Sequence, residues 1–415
     1  MQRKSHAPIR YRFSEIEVTR PLRALEFAAG ETGAGLLLRR GGRPIGFLMR
    51  ENQGKLTWAP EELSLWIGNE LKIKIVEEAL GEELGLPRPK AALPSLSVAI
   101  CTRARVATLD RCLRSVLPLQ HQHGFEILVV DNAPPDDATA KLVKTFRDVR
   151  YCLDPRPGLD FARNLAWMEA SGELIAYLDD DVVVDAGWFA GLHEAWGENP
   201  DAAAFTGLVM PLKLDTPAQV LFEMGNGFRR GFEKKRFGRV LPGNPLYPCG
   251  PGIFGTGCNM AFRRDVLHAL GGFDEALDTG APLPGGGDLD IFYRIIRAGH
   301  VLVYEPGYMV FHEHRASFSA LRRQYYTWGL GLMAFVSKNY RNDRSQRAQF
   351  RRLLIWWIND QISQLKKAFR SRQGLQLSMN LAELCGAMIG ICGEYSRSLR
   401  RVAAIRRRLS LNLPV

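Results

Sequence analysis

The sequence lacks several features that would settle its class at once, and each absence removes one class. No apolar run approaches the ~20 residues needed to span a bilayer, so no transmembrane helix is expected. The N-terminal stretch is polar and basic, without the apolar core of a secretory signal. The expected compartment is therefore the cytoplasm. The seven cysteines form no CxxC pair and no zinc-ligand spacing, which removes the usual structural zinc site. Their odd number, with Cys101 and Cys152 in or beside strand-like segments, predicts buried thiols rather than disulfides. Cys385 and Cys392, seven residues apart, are expected to share a helix face in a packing role. Internal repeats and low-complexity segments are also missing.

Acidic residues are scarce at one end. From Ala320 to Val415 there are 18 Lys and Arg against four Asp and Glu, a balance of +14 in a chain whose net charge is +11. The rest of the molecule is thus slightly acidic, and the basic character belongs to the C-terminal region. A basic tail without a recognised module does not argue for nucleic acid. In the segment 350–369, "FRRLLIWWINDQISQLKKAF", aromatic and aliphatic residues mix with Arg and Lys, as in a helix on an anionic membrane surface. Peripheral contact there, at the inner face of the plasma membrane, is an expectation.

What is present falls into three segments. Residues 1–92 read as a small β/α module: "GLLLRRGGRPIGFLM" predicts a hairpin about Gly41-Gly42, followed by a helix with Pro60 in its first turn. Three prolines in "GLPRPKAALP", residues 85–94, predict a linker. Residues 93–318 alternate short apolar strands with helices, which predicts an α/β fold with a Rossmann-like, mixed but mainly parallel sheet flanked by helices. Residues 211–250 read as a long irregular loop, and 319–415 as a helical basic region.

Ligands in such sheets sit beyond the carboxyl ends of the strands. Asp131 falls at one such end, and "ELIAYLDDDV" places Asp179, Asp180 and Asp181 at another. Three consecutive carboxylates repel one another and are costly to bury unpaired. Hard divalent cations prefer oxygen ligands, so the triplet suits Mg²⁺ or Mn²⁺. Alternation along extended backbone lets Asp179 and Asp181 point the same way.

Six segments in order then resemble the family-2 glycosyltransferases of GT-A fold. They are "LSVAICTRAR", "EILVVDNAP", "GLDFARNLAWMEASGELIAYLDDDVVVDAGWF", "GTGCNMAFRRDVLHALGGFDEAL", "GGGDLDIFYRIIRAGH" and "YEPGYMVFHEHR", covering roughly residues 95–315. The resemblance implies an inverting transferase that moves a sugar from a nucleotide-diphosphate donor to an acceptor hydroxyl, in cell-surface glycan or glycoconjugate synthesis. The acceptor class is a glycan, a lipid-linked molecule or a small molecule. It assigns Thr102, Arg103, Asp131, Arg163, Asn164, Asp179 and Asp180 to the nucleotide sugar. Asp179 and Asp181 match the DxD pair. Asp181 and His312 would hold Mn²⁺ or Mg²⁺, with His314 expected on the opposite side of the strand. Asp288 would be the catalytic base.

Two departures matter. Many relatives have Glu-Asp at the base motif, whereas this chain has Gly287-Asp288. Asp288 is preferred to Asp290 because it follows the "GGG" run and opens a helix, whose N-terminus favours an ionised carboxylate. The Gln-x-x-Arg-Trp motif of processive synthases is also missing, since Gln324 and Trp328 bracket "YYT". Single addition is therefore expected. A sugar-nucleotide-binding protein without transfer activity would not need both the metal ligands and Asp288. A nucleotidyltransferase would usually carry a Gly-rich phosphate loop near the first strand, and "AICTRAR" has no glycine.

Overall fold

The structure is a computed structural model describing residues 9–85, 93–280, 282–370 and 374–410. Most of the linker expected at 85–94 lies outside the described residues. The N-terminal segment contains β1 (Tyr11–Glu17), β2 (Leu25–Glu26), β3 (Gly33–Arg40), β4 (Arg43–Glu51), β5 (Thr57–Trp58) and α1 (Pro60–Glu83). The hairpin is β3 and β4, turning at Gly41 and Gly42 with positive φ. Its third strand, β1, pairs parallel to β3 and was not read from the sequence.

This module is built into the edge of the larger sheet rather than set apart from it. The Tyr11 amide donates to the Leu214 carbonyl at 2.9 Å. Phe13 meets Phe311 edge-on at 5.9 Å. Arg39 pairs with Asp185 at 2.5 Å, and Arg43 with Glu194 at 2.9 Å.

The main sheet begins with β6 (Leu96–Thr102), β7 (Glu126–Asn132), β8 (Val149–Asp154) and β9 (Leu174–Asp179). These alternate with α2 (Val106–His123), α3 (Ala138–Val143) and α4 (Leu159–Glu169). Then come β10 (Val182–Val184), α5 (Trp188–Glu198), β11 (Ala202–Pro211), α6 (Pro217–Met224) and β12 (Lys235–Phe237). The domain closes with β13 (Asn259–Arg263), α7 (Arg264–Ala269), α8 (Gly287–Arg297) and β14 (Val301–His312). The order is β10-β14-β11-β13-β9-β6-β7-β8, with β12 also on β14. Strands β6, β7, β8, β9, β11 and β14 run one way and only β10, β12 and β13 oppose them. The sheet is mixed and mainly parallel. Every residue of β6 is buried, as covering both faces of a parallel strand requires.

Residues 211–250 are not wholly irregular. Thr216 and Gln219 form a capping box that starts α6. The "TPAQ" signal was in the sequence, but the surrounding Gly, Pro and basic residues masked it.

Among the described residues four α-helices follow: α9 (Phe318–Asn342), α10 (Arg347–Arg370), α11 (Gly374–Ile389) and α12 (Tyr395–Ser410). By length and composition alone the segment Gly374–Ser410 is apolar enough to cross a membrane, which the sequence reading did not expect, but its backbone kinks at Cys392 and Gly393 between α11 and α12. Its apolar part is lengthened by small residues rather than a solid aliphatic run, so it escaped notice. All seven cysteines are free. Cys385 and Cys392 are exposed rather than packed, a second correction, because the buried face of α11 carries glycine and alanine.

Candidate active site

The parallel strands deliver their carboxyl ends to one place. Thr102 ends β6 beside Asp131 of β7, and Cys101 pairs in register with Asp179 of β9. A cavity of about 1420 Å³ opens above them. Thr102, Arg103, Arg163, Asp179, Asp180, Asp181, His312 and Asp288 all line it. Eight of the ten residues expected from the sequence therefore converge.

The acidic triplet is opposed by arginine. Arg105, in the turn after β6, bonds Asp180 and reaches Asp181 Oδ2 at 2.8 Å. Thr102 Oγ1 donates to the other Asp180 oxygen at 2.6 Å. Burial pushes the Asp180 carboxyl up to about 7 despite both partners. Asp179 turns instead toward Arg163, 3.9 Å away. For Asp181 burial acts upward, but His312 in its protonated form, Arg105 and Arg315 hold its carboxyl below the ordinary range.

Asp181 Oδ1 lies 3.3 Å from His312 Nε2 yet is buried without a hydrogen bond. Burial lowers the His312 pKa to about 4, so at neutral pH this ring is uncharged. An unpartnered carboxylate oxygen facing a neutral imidazole is a donor pair that fits a divalent cation. Among the described residues no cluster of three or more His, Cys, Asp or Glu side chains suits a metal. Two protein ligands are enough for Mg²⁺-type sites, where phosphate and water complete the shell.

His312 and His314 do not face opposite ways. The strand ends at His312, and the bend beyond it brings the two Nδ1 atoms within 3.0 Å. His314 Nε2 is 2.7 Å from Glu223 of α6, which in turn pairs with Arg229. Only His312 borders the cavity, and His314 supports it from behind.

Asp288 and Asp290 separate cleanly. Asp288 lines the cavity and accepts from the Gly257 amide at 3.0 Å and the Leu289 amide at 2.8 Å. Asp290 is fully buried against Arg294 at 2.6 Å, Lys338 at 2.7 Å and Asn339 at 3.1 Å. The glycine preceding Asp288 also has a cause. A Cβ at Gly287 would sit 1.9 Å from Asp160 Oδ2. The space a glutamate would enter is already taken by a carboxylate from α4. Arg163 holds that carboxylate at 3.0 Å and reaches Asp278 at 3.7 Å.

Two expected residues stay outside the cavity. Asp131 is buried and receives the Tyr151 hydroxyl at 2.9 Å, while its neighbour Asn132 takes the place on the cavity wall. Asn164 donates to the Phe273 carbonyl at 3.0 Å and accepts from the Phe273 amide at 2.8 Å and Trp167 Nε1 at 3.1 Å. Its amide joins α4 to the segment after α7. Asn164→Ala should accordingly destabilise the fold by about 1–3 kcal/mol through unsatisfied buried groups. Donor affinity should change little. Urea denaturation and nucleotide titration check this, and a large affinity loss at wild-type stability would contradict it.

Sequence reasoning missed Arg105, Asn132, Asp160, Glu223, Asp278 and Arg315. Arg105 was visible in "CTRAR", but only tertiary pairing across 75 residues shows that it faces Asp180.

Residues 97–271 match the family model described as glycosyl transferase family 2. Over this segment the chain is similar to the family-2 glycosyltransferases. A glucosyl-dolichyl phosphate glucuronosyltransferase of Haloferax volcanii is 25% identical over 186 residues, 43% of this chain and 56% of that protein. A pre-mycofactocin glycosyltransferase of Mycobacterium tuberculosis is 26% identical over 256 residues, 60% of this chain and 50% of that protein. The succinoglycan biosynthesis protein ExoM of Rhizobium meliloti is 27% identical over 244 residues, 56% of this chain and 72% of that protein. The match thus spans about half the length of the first two relatives. Among solved structures, the mannosyltransferase PcManGT from Pyrobaculum calidifontis, in complex with GDP-Man and Mn²⁺, is 15% identical with a TM-score of 0.43. That alignment covers 83% of this chain and 88% of the other.

Proposed function

We propose that the protein is an inverting, metal-dependent transferase in cell-surface glycan or glycoconjugate synthesis. It moves one sugar from a nucleotide-diphosphate donor to the hydroxyl of a glycan, lipid-linked or small-molecule acceptor. In this reading residues 93–318 carry the chemistry, 1–92 are accessory, and 319–415 form a helical region at the cytoplasmic membrane face. The observation that carries the proposal is the meeting of the Asp179–Asp181 triplet, His312 and Asp288 on one cavity wall.

Each residue then has a task. Thr102, Arg103, Asn132 and Asp179 border the nucleotide sugar, and Arg105 keeps Asp180 and Asp181 in place. Asp181 and His312 would hold Mn²⁺ or Mg²⁺, which supplies Lewis-acid neutralisation of the departing diphosphate. Asp288 takes the acceptor hydroxyl's proton as that oxygen attacks the anomeric carbon from the side opposite the diphosphate. The configuration inverts in one displacement, and no group on the chain needs to become covalently attached.

A panel of nucleoside diphosphates tested by thermal shift addresses this directly. One of them should stabilise the protein with Mn²⁺, by about 2.7 kcal/mol at 100-fold excess over its Kd. The same nucleotide with a chelator should not. Failure of every nucleotide to stabilise the protein would reject the proposal.

A further inference from the structure

The C-terminal helices leave an apolar band uncovered. Along α10, Ile355, Ile358, Ile362 and Phe369 are exposed and Leu365 is half-buried, at alternating spacings of three and four residues. Such spacing puts them on one face of the helix. Along α11, Leu381, Cys385 and Met388 repeat the pattern outward, and Cys392 is exposed at the kink beyond it. The two helices pack side by side. Their apolar stripes therefore belong to neighbouring elements.

Charge distinguishes this band from another. On α10, Arg351, Arg352, Lys366 and Arg370 are exposed, and Asp360 is the helix's single acid. Helix α1 also shows Ile73, Val76 and Leu80, but beside Glu70, Glu77, Glu78, Glu82 and Glu83. An anionic surface would be repelled there and attracted to α10. Trp356 and Arg352 lie on α10 and Trp328 on α9, and all three line the cavity that contains Asp288. Trp356 is 51% exposed, so the band reaches the cavity's mouth.

The apolar part of α11 does not project from the body. Met379 packs with Ala218, Phe222 and Leu321. A Cβ at Gly386 would lie 1.9 Å from the Tyr326 carbonyl, so α11 rests backbone to backbone on α9. Beyond the kink at Cys392 and Gly393, on α12, Tyr395 donates to Asp274 at 2.9 Å and Arg406 reaches Glu275 at 2.6 Å. Packed on α9 along its length and followed by the anchored α12, α11 lies along the domain surface.

We infer that the α10–α11 face docks on an anionic bilayer, with both helices in the plane of the interface and the cavity mouth turned toward the lipid. Apolar side chains enter the headgroup boundary while Arg and Lys meet lipid phosphates. This rests on the transferase reading for its meaning but not for its test.

The full-length protein is sedimented with vesicles of phosphatidylcholine alone and of phosphatidylcholine with phosphatidylglycerol. Binding is expected only to the anionic vesicles and should weaken as salt rises. In the double variant Ile358→Glu, Ile362→Glu it should fall by at least about tenfold. Both positions are exposed, and circular dichroism verifies that the variant is folded. No binding by wild type, or equal binding by the variant, overturns the inference. So does vesicle-free self-association that the variant abolishes, which would make a second copy the occupant. Manganese-dependent nucleotide binding is measured in parallel without vesicles, and its absence counts against the transferase reading alone.

Discussion

Asp288→Asn is expected to reduce sugar transfer by about 10²–10⁴-fold while leaving donor binding near wild type. The amide retains the size of the carboxylate and one acceptor oxygen. It can therefore keep one of the two bonds from Gly257 and Leu289 that fix the side chain. What it loses is the capacity to take a proton. A steady-state assay beside nucleotide titration separates the two effects, because removing an interaction confined to the transition state lowers kcat without raising the donor Kd. Asp290→Asn is the comparison. It weakens a buried cluster with Arg294 and Lys338 and should lower the melting temperature. Wild-type transfer in Asp288→Asn together with abolished transfer in a folded Asp290→Asn would reverse the assignment.

The same pair shows what a sequence can convey. Asp288 and Asp290 lie two apart on one helix, and helical geometry sends them in different directions. That contrast needs no tertiary information beyond knowing which face is covered. Strand ends were equally legible, because apolar runs stopping at Thr102, Asp131 and Asp179 mark where a parallel sheet meets solvent. Long-range pairing was not. Asp160 fills the space beside Gly287 across two helices, and "GLDFARN" gives no sign that its aspartate reaches there. Asp131 shows the limit of reading a strand end from sequence. The strand continues to Asn132, which borders the cavity, while Asp131 is buried beside it with Oδ1 unpaired. His314 was misjudged for a related reason, since alternation holds only while the chain stays extended and β14 stops at His312.

Asp181→Ala should abolish manganese-dependent nucleotide binding, because of how the triplet is opposed. Arg105 already bonds Asp180 and Asp181, so a cation is not needed for the fold to tolerate three carboxylates. Asp181 Oδ1 is nevertheless left unpaired beside His312. An oxygen buried without a partner is costly unless something else uses it. In Asp181→Ala, Arg105 still holds Asp180, which preserves the local structure. The loss in affinity should exceed the about 10–100-fold typical of changes behind a metal's own ligands. Below the His312 pKa of about 4 the ring is protonated and cannot bind metal. Binding should therefore be insensitive to His312 between pH 8 and 6, and fail as pH approaches about 4. Calorimetry with Mn²⁺, with a chelator, and with Asp181→Ala and Arg105→Ala distinguishes two ways of neutralising a diphosphate. If nucleotide binds equally well with chelator and in Asp181→Ala but is lost in Arg105→Ala, the arginine is the diphosphate's counter-charge and the metal assignment falls.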